Sequence, residues 1–512
     1  MLSFQISYKE TKYFSRLILD YINQDNKLHP FISYFPHIEN FEKQIIKKKD
    51  HSVNRKLLVD VLQRQNNSCP ISQRSKENID LLKFDTTFTV TTGHQLCIFT
   101  GPLYFIYKIL SAINLCEKLK ITYSDYNFVP VFWMATEDHD INEVNHIHLF
   151  GKKIEWNTNQ IGPVGKMNLE GFKHVISELR LLLGNHKNAK KLISLFENAY
   201  LSNNNLSDAT RYLVNELFGE YGLVIIDGDD KDLKKQFIPL IKKDVLESGF
   251  AAELNECSGR LARNYKAQAF VRNINFFRII DGTRELIKGG VTHQEIEENP
   301  EQFSPNVLLR PVFQEFILPN IAYVGGESEL SYWMQLKTSF DKEKIPFPIL
   351  VLRNSALLTD EKKEHRFEQL GFKFDDIFLS KDELIKNYIH SHSGSKISLD
   401  KQKIALSSLY QDLALQIKDV GLKRSIEAQL KKSLSNFDKL ETKLIRNEKK
   451  KNKIAMNQIT KIKQQLFPNN SLQERHENFI TYYLYGGDNF IKRLKNNFDP
   501  LNSNFVVLTI KD

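Results

Sequence analysis

The segment Phe88–Ala135 decides the fold, and it contains three pieces of different periodicity. Phe88–Thr92 (FTVTT) and Phe128–Ala135 (FVPVFWMA) are short runs rich in β-branched and aromatic residues, which is typical of buried strands. Between them, Pro102–Leu119 (PLYFIYKILSAINLCEKL) repeats its apolar residues at helical spacing. A strand, a helix and a second strand in this order predict a crossover between two parallel strands, the unit of a Rossmann-like α/β fold.

The same alternation continues along the chain and predicts a larger parallel sheet. Further candidate strands are Leu223–Asp227, Ala322–Val324 and Phe347–Leu352. Two stretches, 154–218 and 244–305, interrupt this rhythm with helical or Gly- and Asn-rich sequence. We therefore expect residues 1–380 to form a Rossmann-like catalytic core in which these two stretches are inserted connecting segments.

After about residue 380 the sequence changes to widely spaced leucines surrounded by polar residues. Apolar residues recur seven apart in two runs, Leu399, Leu406 and Leu413, then Leu430, Phe437 and Leu444. Gly421 separates the runs, so residues 381–467 are expected to form an antiparallel coiled coil. Its second arm is expected to continue as one helix to Pro468, over about 65 Å. Residues 468–512 end in the strand-like run Asn504–Ile510 and are expected to pack back on the core.

The composition excludes several classes of protein. The 512 residues are 41% hydrophobic and 26% charged, a balance that excludes a disordered or collagen-like chain. Lys and Arg number 71 against 62 Asp and Glu, and the resulting net charge of +9 is too small for a dedicated nucleic-acid binder. The four cysteines form no C-x-x-C pair, which favours a reducing, cytoplasmic location. No apolar run is long enough to predict a membrane-spanning segment.

The first strand ends in the turn Thr91–Pro102 (TTGHQLCIFTGP), which favours binding of an anion. Glycine permits close backbone approach, and the N–H groups at a helix start attract a carboxylate or phosphate. The candidate substrate-binding residues of this turn are Gly93, His94, Gln95, Thr100 and Gly101. The spacing matches neither Walker A nor G-x-G-x-x-G, so a plain strand-to-helix turn with a buried Gln95 stays open as the alternative. Lys108, two turns into the helix, is expected to be a solvated cation.

The second strand runs directly into Thr136–Asp140 (TEDHD), which contains three carboxylates and an imidazole. Ligands of open α/β sheets bind outside the carboxyl ends of the strands. The candidate catalytic residues are Glu137, Asp138, His139 and Asp140, which can position an amine and accept its proton. The alternative is that these acids cap a following helix. Glu143, His146 and His148 follow, but the spacing matches no zinc pattern, so no metal is predicted at the site.

A third group of candidates lies near two later strand ends. An arginine can clamp a carboxylate through two parallel hydrogen bonds, and a glycine pair allows close backbone approach. The candidate residues here are Arg310, Gly325, Gly326, Arg353 and Asn354. For Arg353 and Asn354 a surface turn is an equally open alternative. We further expect the turn after Thr92 and the acids after Ala135 to face each other across one pocket.

Read together, the two motifs, the segment Leu309–Trp333 (LRPVFQEFILPNIAYVGGESELSYW) and the coiled coil resemble the bacillithiol biosynthesis cysteine-adding enzyme family. The family's first motif usually has glutamine where this chain has His94, and Cys97 stands in its turn, whereas TEDHD shows no departure. The resemblance implies a Rossmann-like core with inserted segments, an antiparallel coiled coil and a homodimer. The core is similar to that of nucleotidyltransferases and class I aminoacyl-tRNA synthetases.

The resemblance also implies the reaction and its substrates. The implied reaction joins the carboxyl group of L-cysteine to the amine of glucosaminyl-malate in the last step of bacillithiol biosynthesis. Because a free carboxylate is a poor acyl donor in water, activation by a nucleotide is expected, with ATP or ADP as the bound species. Under this interpretation the TEDHD acids handle the amine, while Arg310 and Arg353 clamp malate carboxylates or phosphate. Tyr104 and Trp133 either wall the sugar or pack in the core.

Two other classes of function stay open at this point. One is a non-catalytic nucleotide-binding scaffold whose coiled coil recruits a partner, with the strand-end acids as helix caps. The other is a tRNA synthetase-like ligase that uses the basic run Arg446–Lys453 (RNEKKKNK) on RNA. Since that run also fits the solvated face of a long helix and no HIGH or KMSKS element is present, no nucleic-acid partner is expected.

Overall fold

The computed structural model describes residues 3–67, 69–392 and 398–510. The chain divides into two compact units, one of residues 1–357 with 473–512 and one of residues 358–472. The strands are β1 (Ser3–Ser7), β2 (Thr87–His94), β3 (Asn127–Met134), β4 (His146–Leu149), β5 (Lys152–Glu155), β6 (Val224–Asp227), β7 (Phe276–Ile280), β8 (Thr283–Leu286), β9 (Phe303–Pro305), β10 (Asn320–Gly325), β11 (Ile349–Leu352), β12 (Ala356–Asp360) and β13 (Asn504–Ile510).

Helices make up most of the remaining described chain. They are α1 (Tyr8–Thr11), α2 (Arg16–Ile22), α3 (Asn40–Lys49), α4 (Arg55–Asn66), α5 (Gln73–Leu81), α6 (Tyr104–Thr122), α7 (Ile141–Val144), α8 (Phe172–Leu183), α9 (Lys187–Leu201), α10 (Leu206–Phe218), α11 (Lys231–Glu247), α12 (Ala251–Ala262), α13 (His293–Glu298), α14 (Leu309–Ile317), α15 (Glu327–Met334), α16 (Lys337–Lys342), α17 (Glu361–Gln369), α18 (Lys381–His392), α19 (Asp400–Gln416), α20 (Val420–Lys451), α21 (Lys453–Leu466), α22 (Ile480–Gly486) and α23 (Asn489–Asn497). None of these described helices is both long and apolar enough to cross a bilayer.

Five strands form the central sheet of the first unit in the order β11-β10-β2-β3-β6, and each neighbouring pair is parallel. They are the strands predicted from the sequence, so the Rossmann-like fold is confirmed. β2 and β3 pair along their whole length, which places Gly93 opposite Trp133 and His94 opposite Met134. The carboxyl ends of both strands therefore lie at the same rim of the sheet.

Packing on both faces explains why the central strands are almost continuously buried. On one face, Leu115 of α6 and Phe41 of α3 pack in a cluster with the sheet. On the other face, Phe237 of α11 and Val312 of α14 belong to a larger cluster that includes Val131 of β3. Full burial of each such side chain contributes roughly 1.5–3 kcal/mol, so the sheet is a rigid base for the rim.

The two inserted segments add separate layers to the first unit. Residues 154–218 fold mainly into α8, α9 and α10, and residues 244–305 contain α12, α13 and a small antiparallel sheet in the order β8-β7-β9. The strand expected at Asn504–Ile510 is β13, which pairs antiparallel with β1. The first and last described strands of the chain therefore lie side by side in this unit.

The turn that follows β2 is fixed by unusual backbone geometry and by one buried amide. Phe99, Thr100 and Gly101 have positive φ angles of 51°, 69° and 62°. Asn478, from the C-terminal segment, donates through Nδ2 to the carbonyls of Phe99 at 2.9 Å and Gly101 at 2.6 Å. A Cβ atom on Gly101 would lie 2.6 Å from the Cβ of Cys97, so only glycine fits this position. The C-terminal segment thus holds the turn in place.

The second unit contains a helical hairpin formed by α19 and α20, which are joined by residues 417–419. Lys403 of α19 lies 2.7 Å from Asp438 and 2.6 Å from Glu441 of α20, as the antiparallel arrangement requires. The predicted helical coiled-coil domain is confirmed. Gly421, which the sequence placed between the arms, lies in the first turn of α20.

Two details of this region differ from the sequence expectation. The second arm is not one helix to Pro468, because it breaks at Asn452, whose side-chain Nδ2 donates to the carbonyl of Glu448 at 3.0 Å. Residues 358–380, which were expected in the core, are assigned to the second unit. The reason is local packing, since α17 contacts α21 and Phe367 stacks on Phe372 at 4.9 Å.

We predict that Gly101→Ala destabilises the protein more than Gly184→Ala. Both glycines have a backbone conformation that side chains avoid, with φ 62° and ψ −141° at Gly101 and φ 69° and ψ −156° at Gly184. Both substitutions therefore cost about 1–3 kcal/mol in strain. Only Gly101 also meets Cys97, since no described atom lies within 4 Å of a Cβ at Gly184.

Urea denaturation followed by circular dichroism measures this difference. The free energy of unfolding of Gly101→Ala should be lower than that of Gly184→Ala by about 1–3 kcal/mol, the cost of overpacking. Equal stabilities of the two variants would contradict the steric role of Cys97.

Candidate active site

A cavity of about 870 Å³ opens at the carboxyl ends of the central strands. Its wall contains Gly93 and Gln95 from the first sequence motif and Glu137 and Asp138 from the second. The two motifs touch, because Gln95 Nε2 donates to Asp138 Oδ2 at 2.7 Å. They therefore face one pocket, at the rim where open α/β sheets bind ligands.

The amide of Gln95 connects two carboxylates. Its Nε2 lies 2.7 Å from Asp138 Oδ2 and 2.6 Å from Oε2 of Glu143, an acid on α7. Asp138 Oδ1 also accepts from the backbone N–H of His139 at 2.7 Å. Within the described part of the chain, no Lys or Arg nitrogen lies within 4 Å of either carboxylate. Two acids held by neutral donors attract a positively charged group.

A buried ion pair fixes the end of β2. Lys108 Nζ, on α6, lies 2.6 Å from Glu329 Oε2 and donates to the carbonyl of Gly93 at 2.6 Å. Glu329 also accepts from the Tyr323 hydroxyl at 2.6 Å and from the backbone N–H of Gly326 at 2.8 Å. Burial raises the pKa of Glu329, but Lys108 and these hydrogen bonds outweigh burial and hold the pKa below its usual value. The expectation of a solvated Lys108 is wrong, because its side chain is buried.

A second buried cluster surrounds Glu137. Lys234 Nζ lies 2.6 Å from Glu137 and 2.7 Å from Asp229, and Lys166 Nζ lies 2.7 Å from Asp229. Burial raises the pKa of Glu137, and the charge of Lys234 opposes that rise. Glu137 is thus already paired with a lysine, whereas Asp138 is not. Asp138 is the stronger candidate for contact with a cationic ligand.

The arginines of the cavity fall into two groups. Arg353 Nη2 lies 2.7 Å from Glu474, and Arg475 Nη2 lies 2.8 Å from Glu327. These guanidiniums are matched by carboxylates of the protein. Arg284 and Arg310 make their hydrogen bonds to neutral groups and have no carboxylate oxygen within 4 Å among the described residues.

His94 presents a neutral imidazole at the cavity wall. Its ring stacks on Tyr104 with centroids 5.2 Å apart, and its Nδ1 lies 3.1 Å from the carbonyl oxygen of Gln95. Burial, with the charge of Lys108, lowers the pKa of His94 to about 3. Nδ1 therefore carries the hydrogen, and Nε2 is a buried acceptor without a partner among the described residues. It is suited to accept a hydrogen bond from a ligand.

Most of the predicted site residues lie in the wall of the cavity. They are Gly93, His94, Gln95, Tyr104, Trp133, Glu137, Asp138, Arg310, Gly326 and Arg353. Trp133 is almost fully buried and packs against Phe313 with ring centroids 5.7 Å apart. Tyr104 contacts His94 on one side and the guanidinium of Arg353 on the other, at 5.3 Å.

His139 and Asp140 lie outside the cavity wall. The side chain of His139 is 47% exposed, and its Nδ1 lies 3.2 Å from Nη1 of Arg284. Asp140 Oδ1 accepts from the backbone N–H of Asn142 at 3.2 Å and caps α7. The catalytic role predicted for this pair remains a prediction, and the structure favours Asp138 of the four TEDHD residues as the one that contacts a ligand.

Four other predicted residues lie outside the cavity wall as well. Thr100 and Gly101 are in the turn held by Asn478, and Gly325 lies in β10. Asn354 is buried, and its Nδ2 donates to the carbonyl of Asp499 at 2.9 Å. It is therefore not at a surface turn, and its contacts join the core to the C-terminal segment.

Sequence reasoning missed several charged residues of the cavity, namely Glu143, Arg284, Glu329 and Arg475. Glu329 carried a usable signal, because it stands three residues after Gly326 at a glycine-rich strand end. Arg284 carried none, because it lies on β8 of an inserted segment and reaches the rim only through tertiary packing.

The parallel sheet, the polar cavity at its rim and the helical hairpin define a Rossmann-like α/β protein with a coiled-coil domain. Two family models match the chain, "Bacillithiol biosynthesis BshC, N-terminal Rossmann-like domain" over residues 1–354 and "Bacillithiol biosynthesis BshC, C-terminal coiled-coil domain" over residues 356–510. The chain belongs to the bacillithiol biosynthesis BshC family, and the resemblance noted from its motifs is confirmed.

Curated relatives match over nearly the whole chain. The protein of Flavobacterium johnsoniae is 42% identical over 526 residues, covering 99% of both chains, and that of Christiangramia forsetii is 43% identical over 531 residues, covering 98% of both. A more distant relative from Bacillus cytotoxicus is 25% identical over 511 residues, covering 93% of this chain and 94% of its own. Each is named "Putative cysteine ligase BshC", and the prediction of an enzyme of the ligase class is confirmed.

We predict that Glu329→Gln destabilises the first unit far more than Glu327→Gln. Loss of the Glu329 charge leaves Lys108 buried without a counter-charge, which costs about 3–5 kcal/mol. Glu327 pairs with Arg475, whose side chain is 41% exposed, so its loss should cost at most about 1 kcal/mol.

Both variants are compared with the wild-type protein by urea denaturation. If Glu329→Gln and Glu327→Gln had similar free energies of unfolding, the Lys108–Glu329 pair would not be important for stability. A Lys108→Met, Glu329→Leu double variant should recover part of the stability, because it removes both buried charges.

Proposed function

We propose that this protein joins the carboxyl group of L-cysteine to the amine of glucosaminyl-malate in the last step of bacillithiol biosynthesis. The observation that carries the proposal is the acid pair Asp138 and Glu143, which has no Lys or Arg partner among the described residues and lies in a cavity rich in arginine. A substrate that bears both an amine and carboxylates needs acidic groups of the protein for its amine and basic groups for its carboxylates. The names of the curated relatives support cysteine as the second substrate.

Asp138 is the group best placed to bind the amine and to accept its proton. An ammonium group between Asp138 and Glu143 donates to both carboxylates and loses one proton to Asp138. The lone pair of the neutral amine then attacks the activated carboxyl carbon of cysteine. The new C–N bond forms as the bond from that carbon to the leaving oxygen breaks, and the nitrogen gives its second proton to Glu143 as the amide forms. Gln95 holds Asp138 in the orientation that this transfer needs.

A nucleotide is the cosubstrate that this reaction requires, because an unactivated carboxylate does not acylate an amine in water. The donors on one wall of the cavity fit a phosphate group. Arg353 Nε is buried and has no hydrogen-bond partner among the described residues, and Arg475 lies in the same wall. These two residues would hold the phosphates of ATP, which supplies activation of the cysteine carboxylate.

The non-catalytic scaffold explains the acids as helix caps, and only part of the geometry fits it. Asp140 does cap α7. Asp138 and Glu143, however, share the amide of Gln95 at the cavity wall. An acid pair without a counter-charge is costly in a scaffold and useful in an enzyme that binds an amine.

We expect this activity in the cytoplasm, because cysteine and a thiol product persist in a reducing compartment. All four cysteines of the chain are free, in agreement with that setting. We expect neither a nucleic acid nor a membrane among the partners.

We predict that Asp138→Asn lowers kcat for amide formation by roughly 10²–10⁴-fold, the usual contribution of a general base. Asparagine can still accept the hydrogen bond from Gln95 but cannot take the proton. The matched control is Asp140→Asn, two residues away and outside the cavity wall. If Asp140 serves only as the cap of α7, this variant keeps close to wild-type turnover because asparagine also caps helices, whereas a loss of turnover would support the catalytic role predicted for Asp140 from the sequence.

The assay incubates pure protein with cysteine, glucosaminyl-malate and ATP and measures the product by mass spectrometry. Wild-type turnover in Asp138→Asn would contradict the role of that carboxylate. No product from the wild-type protein would contradict the ligase function itself.

A homodimer is the assembly we propose, with the helical hairpin as its interface. The hairpin exposes apolar side chains that a second copy would cover. They are Ile404, Leu409, Leu440 and Leu444, which are 67%, 65%, 51% and 42% exposed. A groove of about 440 Å³ between α19 and α20 lies beside Ile404. Burial of these side chains in a second copy would remove apolar surface from water, which favours association.

We predict that Ile404→Glu converts the dimer to a monomer, because a charge at the interface is desolvated without a partner. Ile121→Glu, at an 85% exposed isoleucine near the end of α6, is the control and should leave the dimer intact. Size-exclusion chromatography with light scattering measures the mass. A wild-type protein with the mass of one chain would contradict the homodimer.

A further inference from the structure

Two arginines of the cavity lack the carboxylate partners that its other cations have. Lys108, Arg353 and Arg475 are each paired with a glutamate of the protein. Arg284 and Arg310 have no carboxylate within hydrogen-bonding distance in the described chain, and their side-chain hydrogen bonds include those to Ser304, Pro305, His139 and Gln314. Since unpaired charges are costly at partly buried positions, two such guanidiniums in one cavity indicate an anionic ligand.

Arg284 is held in a fixed orientation by the inserted segment. Its Nε donates to Ser304 Oγ at 3.0 Å and its Nη2 to the carbonyl of Pro305 at 2.9 Å. The guanidinium carbon lies 4.0 Å from the centre of the Phe277 ring, which supports the flat group from one side. The third nitrogen, Nη1, lies 3.2 Å from Nδ1 of the exposed His139 ring. It is therefore the nitrogen of Arg284 that is best placed to meet a ligand.

Arg310 is held with similar precision by the core. Its guanidinium carbon lies 5.7 Å from the Trp133 ring and 5.8 Å from the Tyr323 ring, and its Nη1 donates to Gln314 Oε1 at 2.9 Å. Its backbone N–H donates to the carbonyl of Asn306 at 2.9 Å. Because Arg284 binds the adjacent carbonyl of Pro305, both arginines attach to the same short segment of the cavity wall.

Arg284 also lies near Asp138, since its Nη1 is 3.2 Å from Nδ1 of the adjacent residue His139. Burial lowers the pKa of Arg284, and the charges of Glu137 and Asp138 oppose that change, so these groups interact electrostatically. In glucosaminyl-malate the amine and the malyl group occupy neighbouring carbons of the sugar ring. A site for this substrate therefore needs cationic groups directly beside the acids, and Arg284 meets that requirement.

We propose that Arg284 and Arg310 bind the two malyl carboxylates and that Arg284 sets the preference for a dicarboxylate. This assignment rests on the proposed function, in which Arg353, whose Nε has no partner among the described residues, is left to the phosphate. Each Nη nitrogen carries two hydrogens, so both guanidiniums keep N–H donors for a carboxylate beside their hydrogen bonds to the protein. The inserted segment 244–305 would then contribute to substrate binding, since it carries Arg284, which recognises the malyl group.

The test compares wild-type protein with Arg284→Gln and Arg284→Lys on three amine substrates. These are glucosaminyl-malate, glucosaminyl-lactate with one carboxylate, and methyl glucosaminide with none. Arg284→Gln should raise the KM for glucosaminyl-malate roughly ten- to a hundredfold, which corresponds to the loss of one charge-assisted hydrogen-bonded pair. The KM for glucosaminyl-lactate should rise less, so the two KM values should become more similar in this variant. The KM values for cysteine and ATP should not change.

Arg284→Lys keeps the charge without the planar fork, so it should fold normally and fall between the other two proteins. The matched control is Arg278→Gln on β7 of the same hairpin, which pairs with Glu295 at 2.9 Å and lies outside the cavity wall. It should retain the wild-type KM values. If Arg284→Gln raised the KM for ATP and left the KM for glucosaminyl-malate unchanged, the assignment would be overturned, and these arginines would be assigned to phosphate.

Calorimetric titration of glucosaminyl-malate, without cysteine or nucleotide, separates this inference from the proposed function. Binding that is strong in the wild type and weak in Arg284→Gln supports the subsite even if no amide is formed, in which case only the ligase function fails. Turnover in the wild type with an unchanged KM in Arg284→Gln overturns the subsite alone. Equal binding by both proteins also overturns it.

Discussion

The hydrogen bonds of the Gln95 amide are the contacts on which the candidate site depends. Asp138 and Glu143 would repel each other in the cavity, and the shared donor reduces that repulsion while holding both acids on one side. This arrangement exists only because β2 and β3 pair in parallel and end at the same rim. Lys108 secures that rim by donating a hydrogen bond to the carbonyl of Gly93.

The charged residues of the first unit fall into two groups, buried ion pairs that stabilise the fold and unpaired groups that are available to a ligand. Buried charges such as Lys108 with Glu329, or Arg353 with Glu474, are matched within the protein, as burial requires. The groups without a directly paired counter-charge lie at the cavity wall. The acids follow β3, Arg284 is on the second inserted segment and Arg310 is on α14. A substrate with an amine beside two carboxylates complements this pattern, whereas a helix-capping role accounts only for Asp140.

Much of the fold could be predicted from the sequence, because strand and helix periodicities are local properties. The acids after β3 were also predictable, since the end of a parallel strand is where such folds bind ligands. Lys108 was not, because its burial is decided by Glu329, more than two hundred residues away. Arg284 was not, because an inserted hairpin reaches the rim only through tertiary packing. The break at Asn452 was not predicted, although the heptad spacing already lapses there. Lys451 stands seven residues after Leu444, and the next apolar pair is Ile459 and Leu466.

The most direct measurement is a crystal structure of the protein with glucosaminyl-malate bound. Our account predicts the amine nitrogen within about 3 Å of Asp138 Oδ2 and of Glu143, with the sugar between the acids and the arginine wall. A bound sugar whose amine points away from Asp138, or that occupies another part of the protein, would contradict the account.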